Sequence, residues 1–424
     1  MRTRDARLFY GWIVALAAFA ILAVSYGLTF SYGVFIKSLS ADLGWSKAEV
    51  TLPYSIYILV YGLLGSVAGW ATDRSGPRAV IAVGAVFLGV GFALVGLTHH
   101  LWQLYLSLGV VAAIGMSAAW VPCNATVVRW FRLKRGRALS ISSTGGSFGN
   151  VLAPIVGAAL VASIGWRWSF AALGAFATVV MLALSRLMVR DPERMGLTVD
   201  GAPPAPPGAP APAPEASMTM AEARRTRSFW VIFALFSVVW LVVFVPQIHL
   251  PGFVEDLGFS KFAGAAAVSC VGLGGMAGRL TMGGLSDRLG RLPCLGALLG
   301  LQTVSFVSFA LTGSLGVLYP TAVAFGFAYG GGVVIFPALV GDYFGREHVG
   351  AIVGIIFAGA TPPGAFAPFL AGWLYDVTGG YRISFVLGVV VSVAALALLA
   401  LLRASAPAGA ARDAPRAAAA PTSA

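Results

Sequence analysis

A series of long apolar blocks constrains this chain more than any other feature of its sequence. Each block has about 18 residues or more, the length that predicts a membrane-spanning helix. Hydrophobic residues make up 58% of the chain and charged residues only 10%, whereas a soluble domain carries roughly 25% charged residues. The sequence therefore predicts an all-α membrane protein with twelve transmembrane helices. The twelve blocks, numbered below as spans, cover residues 11–36, 50–71, 79–97, 101–128, 138–164, 168–188, 229–254, 263–285, 293–311, 315–340, 351–374 and 383–402.

Positive charges are distributed unevenly between the two ends of the spans. The first span follows the basic stretch MRTRDAR without a small-residue cleavage site, so we expect it to be retained. Of the 28 lysines and arginines, Arg279 lies inside a span, only five lie opposite the N-terminus, and the others share its side. This positive-inside pattern, with an even number of spans, predicts both termini in the cytoplasm. We expect an integral protein of a bacterial cytoplasmic (inner) membrane. The pattern also accounts for the net charge of +12 without nucleic-acid binding. The five are Lys37, Lys47, Arg167, Lys261 and Arg382.

The sequence repeats itself at an offset of 214 residues. GWATDRSGPR at 69–78 matches GGLSDRLGRL at 283–292, and Gly136, Gly145 and Pro154 recur as Gly350, Gly359 and Pro368. Matches in the same order across six spans predict two six-helix halves related by a pseudo-two-fold axis along the membrane normal. The expected domains are an N-terminal half at 1–190, a cytoplasmic Pro/Ala-rich linker at 191–228, a C-terminal half at 229–403 and a disordered cytoplasmic tail at 404–424.

The turn Gly-x-x-x-Asp-Arg-x-Gly after spans two and eight resembles the signature loop of the major facilitator superfamily. It contains Gly69, Asp73 and Arg74 in the first half, and Asp287 and Arg288 in the second. The aspartate can cap a helix or pair with an arginine across the cytoplasmic face, and the glycine allows a tight turn. The resemblance implies the major facilitator fold and transport by alternating access, with these loops as conformational switches.

One permanent cation, Arg279, lies well inside span eight. Burying an ionised group at the bilayer centre costs at least about 2.5–3.5 kcal/mol, and arginine cannot deprotonate. Arg279 is about 12 Å of helix from the cytoplasmic turn, so it could snorkel or be structurally paired. The spans contain no second deep charge to neutralise it. We therefore expect it to bind the carboxylate of a substrate in a central cavity through two parallel hydrogen bonds.

Neutral polar residues in other spans could complete such a site. Asn124 and Thr126 lie in span four, and Tyr329 precedes three glycines in span ten. An amide within the bilayer must be hydrogen-bonded, so Asn124 faces either the cavity or a neighbouring helix. Thr126 and Tyr329 have the same two interpretations, substrate contact or helix packing. Weaker candidates are Tyr26, Tyr32, Ser147 and Asn150.

Proton coupling requires a titratable group, and no acid lies deep in a span. Asp256, at the outer end of span seven, could carry a proton if it is partly buried, or it could be a solvated loop acid or a helix cap. His249 lies two turns further in. Imidazole is the side chain that ordinarily titrates near neutrality, although His249 could simply be packed or face water. Both residues are candidates for coupling.

Three stretches resemble the monocarboxylate porter and oxalate–formate antiporter branch of the superfamily. They are SYGLTFSYGVF at 25–35, WFRLKRGRALSISSTGGSFG at 130–149, and GRLTMGGLSDRLGR, whose Arg279 matches the carboxylate-binding arginine of the branch. Animal members carry an aspartate and a lysine where this chain has Gly275 and Phe30, so their proton relay does not carry over. The pattern of some bacterial members points instead to Asp256. Oxalate exchangers also have a lysine in span eleven, which has none here.

These features predict a monomeric secondary active transporter of small, lactate- or pyruvate-like monocarboxylates, coupled to protons. One buried cation suits a monoanion, whereas a dicarboxylate would require a second. Its expected partners are a small carboxylate anion, protons and the lipid bilayer, with no nucleic acid. An oxalate–formate type exchanger and a non-transporting sensor on the same fold remain open alternatives. We do not expect the protein to be an enzyme or to bind a cofactor, since catalytic motifs are lacking. We expect no metal, since Cys123, Cys270 and Cys294 have neither disulfide nor metal-ligand spacing.

Overall fold

The structure, a computed structural model, describes residues 9–45, 47–201 and 217–404. Most of these residues form twelve long helices, which correspond to the twelve spans. Most of the expected linker, 202–216, and the tail from residue 405 lie outside the described residues. The helices are α1 (Tyr10–Leu43), α2 (Lys47–Ser75), α3 (Pro77–Gly96), α4 (Leu101–Trp130), α5 (135–164), α6 (166–185), α7 (Arg227–Asp256), α8 (Lys261–Leu289), α9 (Arg291–Leu311), α10 (Leu315–Phe344), α11 (Val349–Thr378) and α12 (Arg382–Ala404).

Ten helices of the described residues are long and apolar enough to cross a membrane on their own. The other two are α5 and α8, which are rich in small and polar residues. Ser140, Ser142 and Ser143 of α5 are all buried in protein rather than exposed to lipid. Small and polar residues of this kind favour close contact between membrane helices. The small and polar residues of α5 and α8 therefore suit the close contact that these two helices make between the halves.

Glycines in the left-handed backbone region make the tight turns between three helix pairs. Gly165 has φ +74° and divides one continuous helical stretch into α5 and α6. Gly76 has φ +84° between α2 and α3, and Gly290 has φ +91° between α8 and α9. Only glycine adopts these angles without strain. Gly76 and Gly290 are the last residues of the two signature turns, so the repeated motif produces the same geometry twice.

Helix α4 runs through the centre of the N-terminal half and is irregular. Its residues Tyr105–Ala112 are π-helical, and Pro122 lies in the following α-helical part. Every residue from 115 to 130 is buried. This helix therefore supplies interior positions to the half, and Asn124, Thr126 and Arg129 are all on it.

The helices form two six-helix halves, α1–α6 and α7–α12. Within the halves, α1 packs on α5, α8 on α10, and α9 on α12. The halves meet mainly along two lines, which we call the α2/α11 seam and the α5/α8 seam. We call the end where α6 finishes and α7 begins the linker end, and the opposite end the far end. Both signature turns lie at the linker end.

The seams are closest at the linker end. A Cβ on Gly69 would fall on the carbonyl oxygen of Gly350, and a Cβ on Gly136 would fall on that of Gly283. Toward the far end, the α5 surface beyond Ser147 becomes accessible. Val151, one turn beyond Ser147 on α5, is 61% exposed. The structure is thus closed at the linker end, and α5 is exposed toward the far end.

Candidate functional site

Arg279 lies on the α5/α8 seam, about 12 Å of helix from Asp287 of the signature motif, which forms the end of α8. Its Nη1 donates to Ser147 Oγ and, at 3.5 Å, to the carbonyl oxygen of Ser143. Both acceptors belong to α5 in the opposite half. Arg279 is carried by one half and held by the other because α5 and α8 pack through small residues here.

No carboxylate of the described residues forms an ion pair with Arg279. Its Nε is buried without a hydrogen-bond partner in the described part of the chain. Hydrogen bonds to charged groups contribute roughly 1.5–3 kcal/mol, and an unsatisfied buried donor is costly. The guanidinium therefore retains donor capacity for an anion, on the edge that Ser147 and Ser143 leave unoccupied.

Two tyrosines lie beside the guanidinium. Its Cζ is 5.7 Å from the centroid of the Tyr329 ring on α10, a cation–π distance. Tyr26 of α1 is within electrostatic reach of both Arg279 and Tyr329, and lies next to Tyr61 of α2. Tyr26 and Tyr329 are each half-buried. Phenols from both halves therefore border the cation.

The polar side chains of α4 are buried in the packed interior of the N-terminal half rather than exposed to open space. Asn124 donates from Nδ2 to the carbonyl oxygen of Trp120 at 2.8 Å, and its Oδ1 accepts from Ser143 Oγ at 3.5 Å. Thr126 donates to the carbonyl oxygen of Pro122 at 2.7 Å. Both side chains are fully buried. Asn124 reaches Arg279 only through Ser143, and Thr126 has no described contact with Arg279.

The weaker candidates separate into two groups. Ser147 contacts Arg279 directly, and Tyr26 lies beside it. Tyr32 is buried nearer the far end, where its hydroxyl donates to the carbonyl oxygen of Val50 at 2.7 Å. Asn150 is exposed on α5, one turn beyond Ser147.

Asp256 and His249 share an aromatic cluster at the far end of the C-terminal half. Asp256 is exposed, and its Oδ1 accepts from the hydroxyl of Tyr375 at 3.2 Å. His249 is half-buried; its Nε2 is 2.9 Å from the carbonyl oxygen of Pro368. The Tyr381 ring lies between them, 4.5 Å from that of Tyr375 and 5.3 Å from that of His249, centroid to centroid. This cluster has no described contact with Arg279.

Asp73 is the centre of the linker-end contacts at the α2/α11 seam. Its carboxylate accepts from Arg129 Nη2 at 2.6 Å and from the backbone N–H groups of Gly350 and Ala351 at 3.1 and 2.7 Å. Gly350 and Ala351 begin α11, so the acid of one half caps a helix of the other. Arg129, which is 1% exposed, also donates to Asp191 at 3.2 Å.

Asp287 has the corresponding position at the α5/α8 seam. It accepts from the N–H groups of Gly136 and Arg137, which begin α5, at 2.8 and 2.9 Å. Its ionic partner is Arg291, at 2.6 Å. Asp342 of α10 extends the network, since it pairs with both Arg291 and Arg135.

The arginines within the signature turns do not form these pairs. Arg74 is exposed and lies over the Trp70 ring, and Arg288 is exposed. The partners that the sequence analysis missed are Arg129 at the end of α4, Arg135 at the start of α5 and Arg291 at the start of α9. The sequence did contain a signal for Arg129. It ends a long apolar run, where an arginine is more often paired than solvated.

A second cross-half ion pair involves the segment after α6. Arg346, between α10 and α11, pairs with Glu193 and donates to the carbonyl oxygen of Arg129. Partial burial, the largest single influence, would raise the pKa of Glu193, but its hydrogen bond from Arg346, a backbone hydrogen bond and the charge of Arg346 together lower that pKa. The start of the linker region is thereby part of the closed end.

Comparison with known proteins gives the same architecture and a family. The model of the Major Facilitator Superfamily matches residues 15–360 and 279–423. Monocarboxylate transporter 11 of Homo sapiens is 32% identical over 392 residues, which cover 89% of this chain and 80% of that protein. An uncharacterised MFS-type transporter of Escherichia coli (strain K12), YhjX, is 25% identical over 342 residues, 78% of this chain and 81% of that one.

The fold is also that of a solved transporter. The proton:xylose symporter XylE, in complex with 6-bromo-6-deoxy-D-glucose, superposes with a TM-score of 0.72 over 93% of this chain and 95% of that chain, at 16% identity. At this identity the similarity concerns the fold alone. Together, the two six-helix halves, the paired signature turns and these matches identify the chain as a member of the major facilitator superfamily of transporters, in its monocarboxylate porter branch.

Proposed function

We propose that this protein is a secondary active transporter of small monocarboxylates of lactate or pyruvate size. The observation that carries the proposal is Arg279, a permanent cation between the halves with no carboxylate partner among the described residues. Charge is strongly unfavourable at this depth unless it is paired. A monocarboxylate supplies one negative charge and two acceptor oxygens, which match a guanidinium fork.

The relatives support this substrate class. The human relative is named a monocarboxylate transporter, and its similarity extends over most of both chains. The surroundings of Arg279 favour a small anion, since Tyr26 and Tyr329 border the cation from both halves. Asn124 then serves the site indirectly, by holding Ser143, while Tyr329 contacts the substrate.

We further propose that transport is coupled to protons through Asp256, with His249 as the second candidate. Asp256 is exposed at the far end, and its hydrogen-bond partner among the described residues is the neutral hydroxyl of Tyr375. Its exposure supports a role in taking up a proton from the solution on that side. His249 belongs to the same aromatic cluster, which supports it as the second candidate.

The positive-inside rule assigns the linker end to the cytoplasm. In this proposal the structure is the outward-open state of a monomeric protein of the bacterial inner membrane. Residues 1–190 and 229–403 move as the two halves, joined by a cytoplasmic linker at 191–228 and followed by a tail at 404–424. Asp73 and Asp287 stabilise this state by capping helices of the opposite half.

The test is uptake of labelled lactate and pyruvate into proteoliposomes with and without an imposed pH gradient. We expect accumulation when the outside is acidic, and inhibition by excess unlabelled monocarboxylate. Exchange with preloaded oxalate or formate in the absence of proton dependence would instead favour an antiporter. Binding of a monocarboxylate without any flux would favour a sensor.

A further inference from the structure

The repeat relates the two seams residue by residue, but their chemistry differs at mid-depth. At the 214-residue offset, Arg279 corresponds to Gly65, and Ser147 corresponds to Thr361. The α5/α8 seam therefore has an ion and a hydroxyl acceptor at the depth where the α2/α11 seam has a glycine and a packed threonine.

The α2/α11 seam is closed at this depth by aromatic packing. The Phe357 ring of α11 stacks on Trp120 of α4 at 4.7 Å and meets Trp240 of α7 at 5.2 Å, centroid to centroid. A Cβ on Gly65 would come within 3.1 Å of the Phe357 ring. Phe357 is 2% exposed. Among the described residues, this seam has no charged group at mid-depth.

The α5/α8 seam holds its cation with acceptors from the other half. Nη1 of Arg279 has two N–H groups, and its two acceptors are Ser147 Oγ and the carbonyl oxygen of Ser143. Asn124 fixes Ser143 in turn, through Oδ1 at 3.5 Å. Since Nη1 is occupied, the N–H groups of Nε and Nη2 are left for a ligand, which must displace the side chains that bury Nε.

We propose that Ser147 and the Ser143 carbonyl position Arg279, so that the anion site is complete only while the α5/α8 seam is closed. The inference rests on the proposed carboxylate site at Arg279. Separation of α5 from α8 takes the acceptors away from the guanidinium, which then loses its orientation. A fork that must be re-ordered binds a carboxylate less tightly, because ordering a flexible side chain costs entropy. Opening at the linker end thus weakens binding and releases the substrate.

Ser147 is therefore a positioning residue, and its effect must depend on the state of the seam. Ser147→Ala removes one acceptor of Nη1, and we expect lactate or pyruvate to bind about tenfold more weakly. Ser147→Thr retains the hydroxyl and should restore most of the affinity. Ser142→Ala is the matched control, since Ser142 is buried on the same helix and donates to its own turn at Leu139, 3.1 Å away.

The decisive experiment is a double-mutant cycle measured by calorimetric binding of lactate and pyruvate to purified protein. Gly283→Ala places a methyl group on the Gly136 carbonyl and keeps the seam apart, whereas Gly284→Ala meets nothing within 4 Å. We expect Gly283→Ala to weaken binding, and Ser147→Ala to have no further effect in that background. Ser147 is then coupled to closure of the seam.

The outcomes separate the two proposals. Unchanged affinity in Ser147→Ala, or an equal loss in both backgrounds, overturns the positioning role while the carboxylate site stands if Arg279→Ala still abolishes binding. Absence of lactate and pyruvate binding to the wild-type protein overturns both. Loss of binding in Ser142→Ala would show that any serine change on α5 disturbs the site, and would also refute a specific role for Ser147.

Discussion

Asp73 on α2 accepts a hydrogen bond from the backbone N–H of Gly350 at the start of α11, and this contact joins the two halves of the protein. Its buried carboxylate combines a helix cap with an ion pair to Arg129. The contact exists only while the linker end is closed. It therefore contributes to the free-energy difference between the two orientations of the transporter.

Asp73→Asn should shift the conformational population toward the state that is open at the linker end. The amide retains one acceptor oxygen but loses the charge that faces Arg129, and hydrogen bonds to charged groups contribute about 1.5–3 kcal/mol. Transport should slow, while lactate affinity changes by only about twofold, because Asp73 is remote from Arg279 and affinity falls only in proportion to the population that leaves the closed state. Asp287→Asn should act in the same direction. The test measures spin-label distances across the linker end together with lactate binding and transport. Equal losses of binding and transport would contradict this prediction.

Gly283→Ala should prevent closure of the linker end. A Cβ there would fall on the carbonyl oxygen of Gly136, which is backbone and cannot move aside independently. Gly284→Ala, one residue further, should behave as the wild type. Leu133 and Leu289 are both exposed at the linker end. Spin labels on cysteines placed at these two positions allow the distance between them to be compared in the two variants. An unchanged separation in Gly283→Ala would be inconsistent with this packing.

Arg279→Ala should abolish monocarboxylate binding, with a loss of about 100-fold or more. A carboxylate would then enter the cavity unpaired, and removal of one partner of a buried pair costs about 3–5 kcal/mol. Arg279→Lys keeps the charge without the planar fork, so it should weaken binding and broaden selectivity. Binding of lactate, formate and oxalate to the purified variants tests this. Wild-type affinity in Arg279→Ala would make the residue structural, and a preference of the wild type for oxalate would indicate a second cation.

Asp256→Asn should abolish pH-driven accumulation while sparing substrate exchange, because a neutral amide resembles the protonated acid. Its hydrogen bond from the Tyr375 hydroxyl can persist with the amide oxygen as acceptor. Uptake with and without a pH gradient, compared with counterflow, distinguishes the two activities. Persistent pH-driven uptake would place the coupling group elsewhere, and His249→Gln is the variant to measure next.

A reporter inserted at Ala211, in the segment between the halves, should be cytoplasmic. The same is expected for reporters at both termini, since an even number of spans returns the chain to its starting side. Alkaline phosphatase and fluorescent-protein fusions give opposite signals on the two sides of the membrane. An external Ala211 would contradict the orientation derived from the positive charges.

Local sequence rules predicted the helices well because apolar length and turn glycines act within a few residues. The twelve spans and the turns at Gly76 and Gly290 are of this kind. Contacts between distant residues were harder to anticipate. The sequence indicated that Asp73 could pair with an arginine, but nothing local selects Arg129 over the adjacent Arg74, because that choice depends on how α2 and α4 pack.

The candidate site shows the same limit. Arg279 was evident because a deep charge is conspicuous in an apolar helix. Ser147 was ranked as a weaker candidate, since a serine in a glycine-rich helix is ordinarily a packing residue. Its contact with Arg279 arises only when α5 and α8 of opposite halves meet. For Asn124 the sequence left substrate contact and helix packing equally open, and the structure shows its amide hydrogen-bonded to Trp120 and Ser143.

The exchanged caps have a consequence for the origin of the interface. Asp73 binds the N–H groups of Gly350 and Ala351, and Asp287 binds those of Gly136 and Arg137, which are the same positions one repeat apart. Each half thus caps a helix of the other half with the same aspartate of the repeat, and such a reciprocal contact is typical of an isologous dimer. A single six-helix unit with one such aspartate and one such helix start already contains both surfaces of this contact. Two copies of it could close around a shared axis without any covalent connection between them.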